Sequence, residues 1–308
     1  MPTDPIVAGT DGSPSAQLAV DRAGELAKAL ETTVHVVSAH SSASAGEWMA
    51  AAGGVAVAER ADVEQGQQAA EKIVAEARNR LQRWGINVQT HVCQGEPAQA
   101  LITVAEGEHA QMIVVGNRGM TGVRRLLGSV PNRVSHHARC GVLIVATQLR
   151  SRPGGPSLTG GSIVVGTDGS GGATRAVTEA IDLAKALGTE LHIVSSYKPL
   201  RRTRVSGAPE SGAEVWAPLP DSLVETVLDQ AAARARGVKA TTHALEEDPA
   251  DALLDIAAKT DAAMIVVGSK GMHGAEQVRL GNVPNQISHK GLCSVLIVLT
   301  GSGNSTDN

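Results

Sequence analysis

The chain has 308 residues, 42% hydrophobic and 19% charged, which is enough apolar material for packed cores and a length that points to about two domains. With 27 Lys and Arg against 31 Asp and Glu, the net charge of -4 argues against an electrostatic grip on nucleic acid. Trp48, Trp84, Trp216, Tyr197 and no Phe leave little for base-stacking platforms, so the cores must be aliphatic.

Read in chain order, Ile6–Gly9 is a short apolar run ending at Gly and Asp, the mark of a buried strand. A helix follows, with Ser13 as N-cap and Pro14 at its first position; Ala16, Ala19, Val20, Ala23, Leu26, Ala27 and Leu30 share one face. Val34–Ser38 reads as the next strand, Gly46–Arg60 as irregular and Asp62–Trp84 as a long helix. Then come a strand at Ile86–Cys93, a helix at Pro97–Glu106, a strand at Met112–Gly116, a short helix at Pro131–Ala138 and a last strand at Val142–Ala146. Strands alternating with helices predict a parallel sheet covered on both faces.

The order then repeats. IVAGTDGSPSA at Ile6–Ala16 recurs as IVVGTDGSGGA at Ile163–Ala173, an offset of 157. MIVVGNRGM at Met112–Met120 recurs as MIVVGSKGM, offset 152, and GSVPNRVSHHARCGVLIV at Gly128–Val145 as GNVPNQISHKGLCSVLIV, offset 153. A period this long is a duplicated domain rather than a solenoid. The expected domains are residues 1–150 and 162–308, joined by a Pro- and Gly-rich linker at 151–161. Each should be an α/β, doubly wound, five-stranded parallel sheet.

No run of about 18 apolar residues is present, so no membrane span is expected, and MPTDPIVAGT lacks the basic and apolar regions of a signal peptide. Cys93, Cys140 and Cys293 are odd in number and form no C-x-x-C pair; a reducing cytoplasm is the expected setting.

Ligands of such sheets bind beyond the carboxyl ends of strands at the topological switch point. There stand Thr10-Asp11 and Gly116–Ser129 in the first copy, Thr167-Asp168 and Gly268–Asn282 in the second. Glycines followed by a helix N-terminus bring unpaired N–H groups to an anion, and the natural anion is a phosphate. Ser129 offers a hydroxyl, Arg118 or Lys270 a charge, and Asp11 and Asp168 an acceptor for adenine or ribose. The same residues have plain structural readings. Ser129 and Asn282 are good N-caps, Gly116 and Gly119 suit a turn, and Asp11 suits a cap or an Asx-turn.

Other chemistries lack their motifs. There is no G-x-x-x-x-G-K-[ST], no G-x-S-x-G and no H-E-x-x-H, and no G-x-G-x-x-G follows the first strand. His136-His137 becomes His289-Lys290 in the second copy, so the pair reads as helix-end histidines rather than metal ligands. Cys140 and Cys293 read as small buried residues.

With Gly-Thr-Asp-Gly-Ser after the first strand and VVGNRGM…GSVPNRVSHH closing on VLIV, each half resembles the universal stress protein family. The resemblance covers Pro5–Thr147 and Ser162–Thr300 in tandem. It implies a nucleotide-binding α/β fold and a pseudo-dimer formed through the final strands, with further homodimerisation open. It implies ATP, with Mg²⁺ entering only alongside it, or AMP or cyclic AMP as alternatives, and a regulatory role in stress, growth arrest or dormancy. Catalysis beyond slow ATP hydrolysis is not expected. The implied phosphate positions are Gly116, Gly119, Gly128, Ser129 and Val130, and in the second half Gly268, Gly271, Gly281, Asn282 and Val283. Thr10-Asp11 and Thr167-Asp168 would hold the adenosine end, with Val36 and Ile193 at the end of strand two meeting the adenine edge.

Both halves depart from the family's G-2x-G-9x-G-(S/T). The first has eight residues between Gly119 and Gly128, and the second keeps nine but carries Asn282 for Ser or Thr. One lost residue in a helical segment turns later side chains by about 100°, so the second half is expected to be the less damaged site. The alternatives are a nucleotide-independent interaction or chaperone-like protein and, last, an enzyme. The loops Gly46–Arg60 and Lys198–Pro220 differ most between halves and are the expected contacts for an unknown protein partner.

Overall fold

The computed structural model describes residues 4–40, 56–117, 128–146, 157–197, 220–270, 281–290 and 293–299. The first half runs β1 (Ile6–Gly9), α1 (Pro14–Ala29), β2 (Val34–His40), α2 (Ala56–Gln82), β3 (Val88–Gln94), α3 (Pro97–Gly107), β4 (Met112–Gly116), α4 (Ser129–His137) and β5 (Gly141–Val145). The second half repeats it as β6 (Ile163–Gly166), α5 (Gly171–Leu187), β7 (Leu191–Ser196), α6 (Pro220–Arg234), β8 (Ala240–Leu245), α7 (Pro249–Lys259), β9 (Met264–Gly268), α8 (Asn282–Lys290) and β10 (Ser294–Val298).

The expected elements are all present with shifted ends. α2 begins at Ala56, inside the stretch expected to be irregular. α4 starts two residues early, at Ser129, because Gly128 rather than Ser129 is its N-cap. α1 starts as its sequence dictates, with Ser13 Oγ accepting from Ala16 N and Pro14 at the first position.

Each half has the strand order 3-2-1-4-5, and the two join into one sheet, β3-β2-β1-β4-β5-β10-β9-β6-β7-β8. All pairings within a half are parallel; β5 and β10 pair antiparallel, with Leu143 opposite Leu296. The final strands therefore join the two halves, as the resemblance implied. One apolar cluster packs α1, α2, α5 and α6 on one face, and a second packs α3, α4, α7 and α8 on the other. The strands between them, such as Met112–Val115, are buried on both sides, which is why they read as unbroken apolar runs.

The end of the expected linker is packed rather than loose. Leu158 is 1% exposed in the first cluster, and its N–H donates to Glu25 Oε2 at 2.7 Å. The other Glu25 oxygen accepts from Arg22, which is itself buried. The Leu158 hydrogen bond ties α1 to the start of the second half, and the Arg22 ion pair within α1 holds the Glu25 carboxylate in place for it. Residues 151–156 lie outside the described residues.

Candidate functional site

Two identical turns mark the carboxyl ends of β1 and β6. Thr10 N donates to Val37 O at 2.9 Å, extending the ladder by one residue, and Gly12 N donates to Thr10 Oγ1. Ser13 N donates to Asp11 Oδ1 at 3.0 Å, an Asx-turn, while Gly12 takes φ +79. Thr167, Asp168, Gly169 and Ser170 repeat these bonds, with Gly169 also at φ +79. Thr10 and Thr167 are buried; the two aspartates are half-buried at the rim.

The neighbouring strands β4 and β9 end against the first turns of α1 and α5. A Cβ on Gly116 would collide with Ser15 Oγ and lie 2.8 Å from Ser15 O. At Gly268 the nearest atoms are the Gly172 carbonyl, at 3.2 Å. Glycine at Gly116 therefore permits a close helix–strand approach. Ser15 Oγ is buried there with no hydrogen-bond partner among the described residues, as is His40 Nδ1.

Past β4, Asn117 N donates to Val145 O at 2.9 Å, and Gly128 N then donates to Asn117 O at 2.9 Å. In the second half Ser269 N donates to Val298 O at 2.8 Å and Gly281 N to Ser269 O at 2.7 Å. Both loops are thus pinched at the base by the same bond. The one-residue difference falls within 119–127 and 271–280, outside the described residues, and does not turn the helices that follow. Asn132 N bonds Gly128 O, and Asn285 N bonds Gly281 O, in register.

The α4 N-terminus has no side-chain cap. The expectation of a Ser129 cap is corrected: as the first helical residue, it is exposed with its hydroxyl outside the helix. Pro131 and Pro284 have no N–H, so the donors the first turns leave for an outside partner are at Ser129 and Val130, and at Asn282 and Val283.

Thr10, Asp11, Gly116, Gly128, Ser129 and Val130 therefore gather at one mouth, and Thr167, Asp168, Gly268, Lys270, Gly281, Asn282 and Val283 at another. Arg118, Gly119 and Gly271 lie outside the described residues, as do most of the loops expected to meet a partner. Val36 and Ile193 are placed differently from expectation. They sit inside β2 and β7, fully buried, with paired strands on both sides. The strand continues past Val36 to His40, beyond the expected end at Ser38, because it stays paired with β3 out to Gln94. A hollow of about 360 Å³ opens beside Thr10 and Gly12, walled by Gln17, Ile73, Arg80 and Arg83; Arg80 is already held by Asp21.

The sequence reading passed over Ser15, which stands where the second copy has Gly172, and the carbonyls of Asn117 and Ser269 that close the loops. Of the two cysteines expected to be buried, Cys293 is and Cys140 is only half-buried; desolvation pushes the Cys140 thiol up to about 11 and Cys293 to about 12. No helix among the described residues is long and apolar enough to cross a membrane.

Comparison with known proteins gives the same duplication. A Mycolicibacterium smegmatis universal stress protein is 28% identical over 304 residues, covering 95% of this chain and 96% of that one. A Mycobacterium tuberculosis universal stress protein is 38% identical over 148 residues, covering 46% of this chain and 95% of its own length. The crystal structure of a universal stress protein from Archaeoglobus fulgidus shares the fold, with a TM-score of 0.70 at 20% identity over 98% of this chain and 100% of that one. The model of the Universal stress protein family matches residues 2–146 and 161–298, and the chain belongs to that family.

Proposed function

We propose that each mouth binds an adenine nucleotide and that occupancy regulates the protein's conformation or partner affinity in a stress response. The observation that carries this reading is the uncapped N-terminus of α4, fixed against the end of β4 by the Gly128–Asn117 bond and matched by Gly281–Ser269. Two backbone N–H groups and the helix dipole there favour an anion. Asp11 and Asp168, oriented by their Asx-turns, stand across the mouth for ribose or adenine. Phosphate at the helix and nucleoside at the Asp turn fit ATP, with Mg²⁺ entering on the nucleotide. AMP or cyclic AMP needs only the inner part of the same site. The shared pinch makes the two halves comparable sites, so the shorter first loop is not by itself a defect.

The test places a carboxylate on the exposed first residue of each helix. Ser129→Glu and Asn282→Glu suit the helix dipole, so folding is kept, but they repel phosphate. We expect ATP affinity in calorimetry to fall at least tenfold at the substituted half, with the remaining stoichiometry identifying the other. Unchanged binding in the double variant would sink the reading, and mass spectrometry of nucleotide released from the purified protein separates ATP from AMP and cyclic AMP.

A further inference from the structure

Two half-buried histidine pairs lie away from the nucleotide mouths, between β2 and β3 and between β7 and β8, with His35 and His192 the buried members. His35 Nδ1 is 2.9 Å from His91 Nε2, and His192 Nδ1 is 3.1 Å from His243 Nε2. The residues recur at the repeat offsets of 157 and 152, so both pairs belong to the duplicated plan. Ring centroids are 5.1 Å and 5.3 Å apart, close to the N···N distance plus two ring radii. The rings therefore meet nitrogen to nitrogen. At these separations one ring nitrogen of each pair donates an N–H to the other.

The first pair has something the second lacks. Glu108, at the C-cap of α3, brings Oε2 to 3.8 Å from His35 Nδ1. The three ligand atoms lie within 4.8 Å of one another. At the same place after α7 stands Thr260, and no such cluster occurs around the second pair among the described residues. There the charged neighbours are Glu190, already bonded to Lys239, with Lys239 and Lys259 adding positive charge.

The geometry points to a divalent transition-metal site, of the zinc class, formed by His35, His91 and Glu108 in the first half alone. Bonds of about 2.0–2.2 Å to nitrogen and carboxylate oxygen put tetrahedral ligand atoms about 3.4 Å apart. The imidazoles need to open by about half an ångström, and the exposed Glu108 side chain swings in by about 0.4 Å toward His35 and by up to about 1.4 Å toward His91. The ion replaces the shared proton between the nitrogens. The ring that carried it holds its proton on the outer nitrogen instead, so two neutral imidazoles bind without net proton loss. Glu108 supplies the negative charge and an open side where water completes the shell. Because β3 is the edge of the ten-stranded sheet, the ion would clip that edge to the end of α3.

The test uses the full-length protein stripped with chelator, Zn²⁺ in calorimetry and Co²⁺ followed by visible absorption. We expect one ion per chain and the absorption of a four-coordinate Co²⁺ centre. Affinity should fall at least tenfold in His91→Ala and in Glu108→Gln, and stay unchanged in His243→Ala and in the His136→Ala, His137→Ala double variant. Glu108→Gln alters only a partly exposed side chain, so loss of binding there is not a failure to fold. No saturable binding, binding that survives Glu108→Gln, or equal loss in His243→Ala would overturn the assignment.

Discussion

Replacing Gly116 with Ala should destabilise the protein far more than the matching change at Gly268. Neither glycine has a positive φ, so the difference is one of space. At Gly116 the added Cβ collides with Ser15 Oγ and sits 2.8 Å from a backbone carbonyl, which cannot rotate away. Restoring ordinary contact requires α1 to retreat by about half an ångström. That helix is anchored by Ala16, Ala19, Val20, Ala23 and Leu26, all buried, so the retreat disturbs a packed layer. Overpacking of this kind costs about 1–3 kcal/mol. At Gly268 the nearest contact is 3.2 Å, and Gly172 has no side chain to move, so a shift of a few tenths of an ångström suffices. We expect less than about 1 kcal/mol there. The gain from a stiffer unfolded chain is common to both substitutions and cancels in the comparison. Denaturant unfolding followed by circular dichroism measures the difference, and the thermal midpoint should separate by about 2–4 °C for each kcal/mol. Ser15→Gly added to Gly116→Ala should recover part of the loss but not all, since the carbonyl remains. Equal losses at the two sites, or full recovery, would refute the close-approach argument.

Three further outcomes can be stated. Leu143→Ala or Leu296→Ala at the antiparallel seam removes a side chain at most 1% exposed and should cost about 2–5 kcal/mol; a loss below about 1 kcal/mol in denaturant titration would mean the seam is not packed as described. Burial holds His192 and His243 below the ordinary imidazole range, so the unfolded chain takes up protons first as pH falls. Stability present above about pH 6.5 is therefore lost below it, and His243→Gln should flatten that part of the pH–stability curve; an unchanged slope would refute this. Raised thiol pKa values leave roughly one in a thousand Cys140 groups ionised at pH 8 and fewer at Cys293; alkylation of the native protein should be roughly 100-fold slower than after denaturation, and comparable rates would show both thiols to be reactive.

The amino-acid sequence by itself determined the duplication, the order of elements and the two Thr-Asp-Gly-Ser turns. These are local properties: hydrophobic period, a Ser-Pro helix start, and a glycine where the chain takes φ +79. It located the mouths because strand order in a doubly wound sheet fixes where crossovers diverge. The residues did not show what lies across an interface. Periodicity says which face is buried, not what covers it, so the β5–β10 seam rested on the family resemblance until the pairing of Leu143 with Leu296 appeared. Likewise, Leu158 read as linker because nothing local ties it to Glu25 in α1. Backbone bonds are blind to side-chain identity, so the pinch at Gly128 and Gly281 could not be read from a loop count, and eight or nine intervening residues gave the same closure. The histidine pairs stand in the sequence as an H in each of strands two and three of both copies. Only the parallel register of those strands brought the rings nitrogen to nitrogen, and only the end of α3 added Glu108.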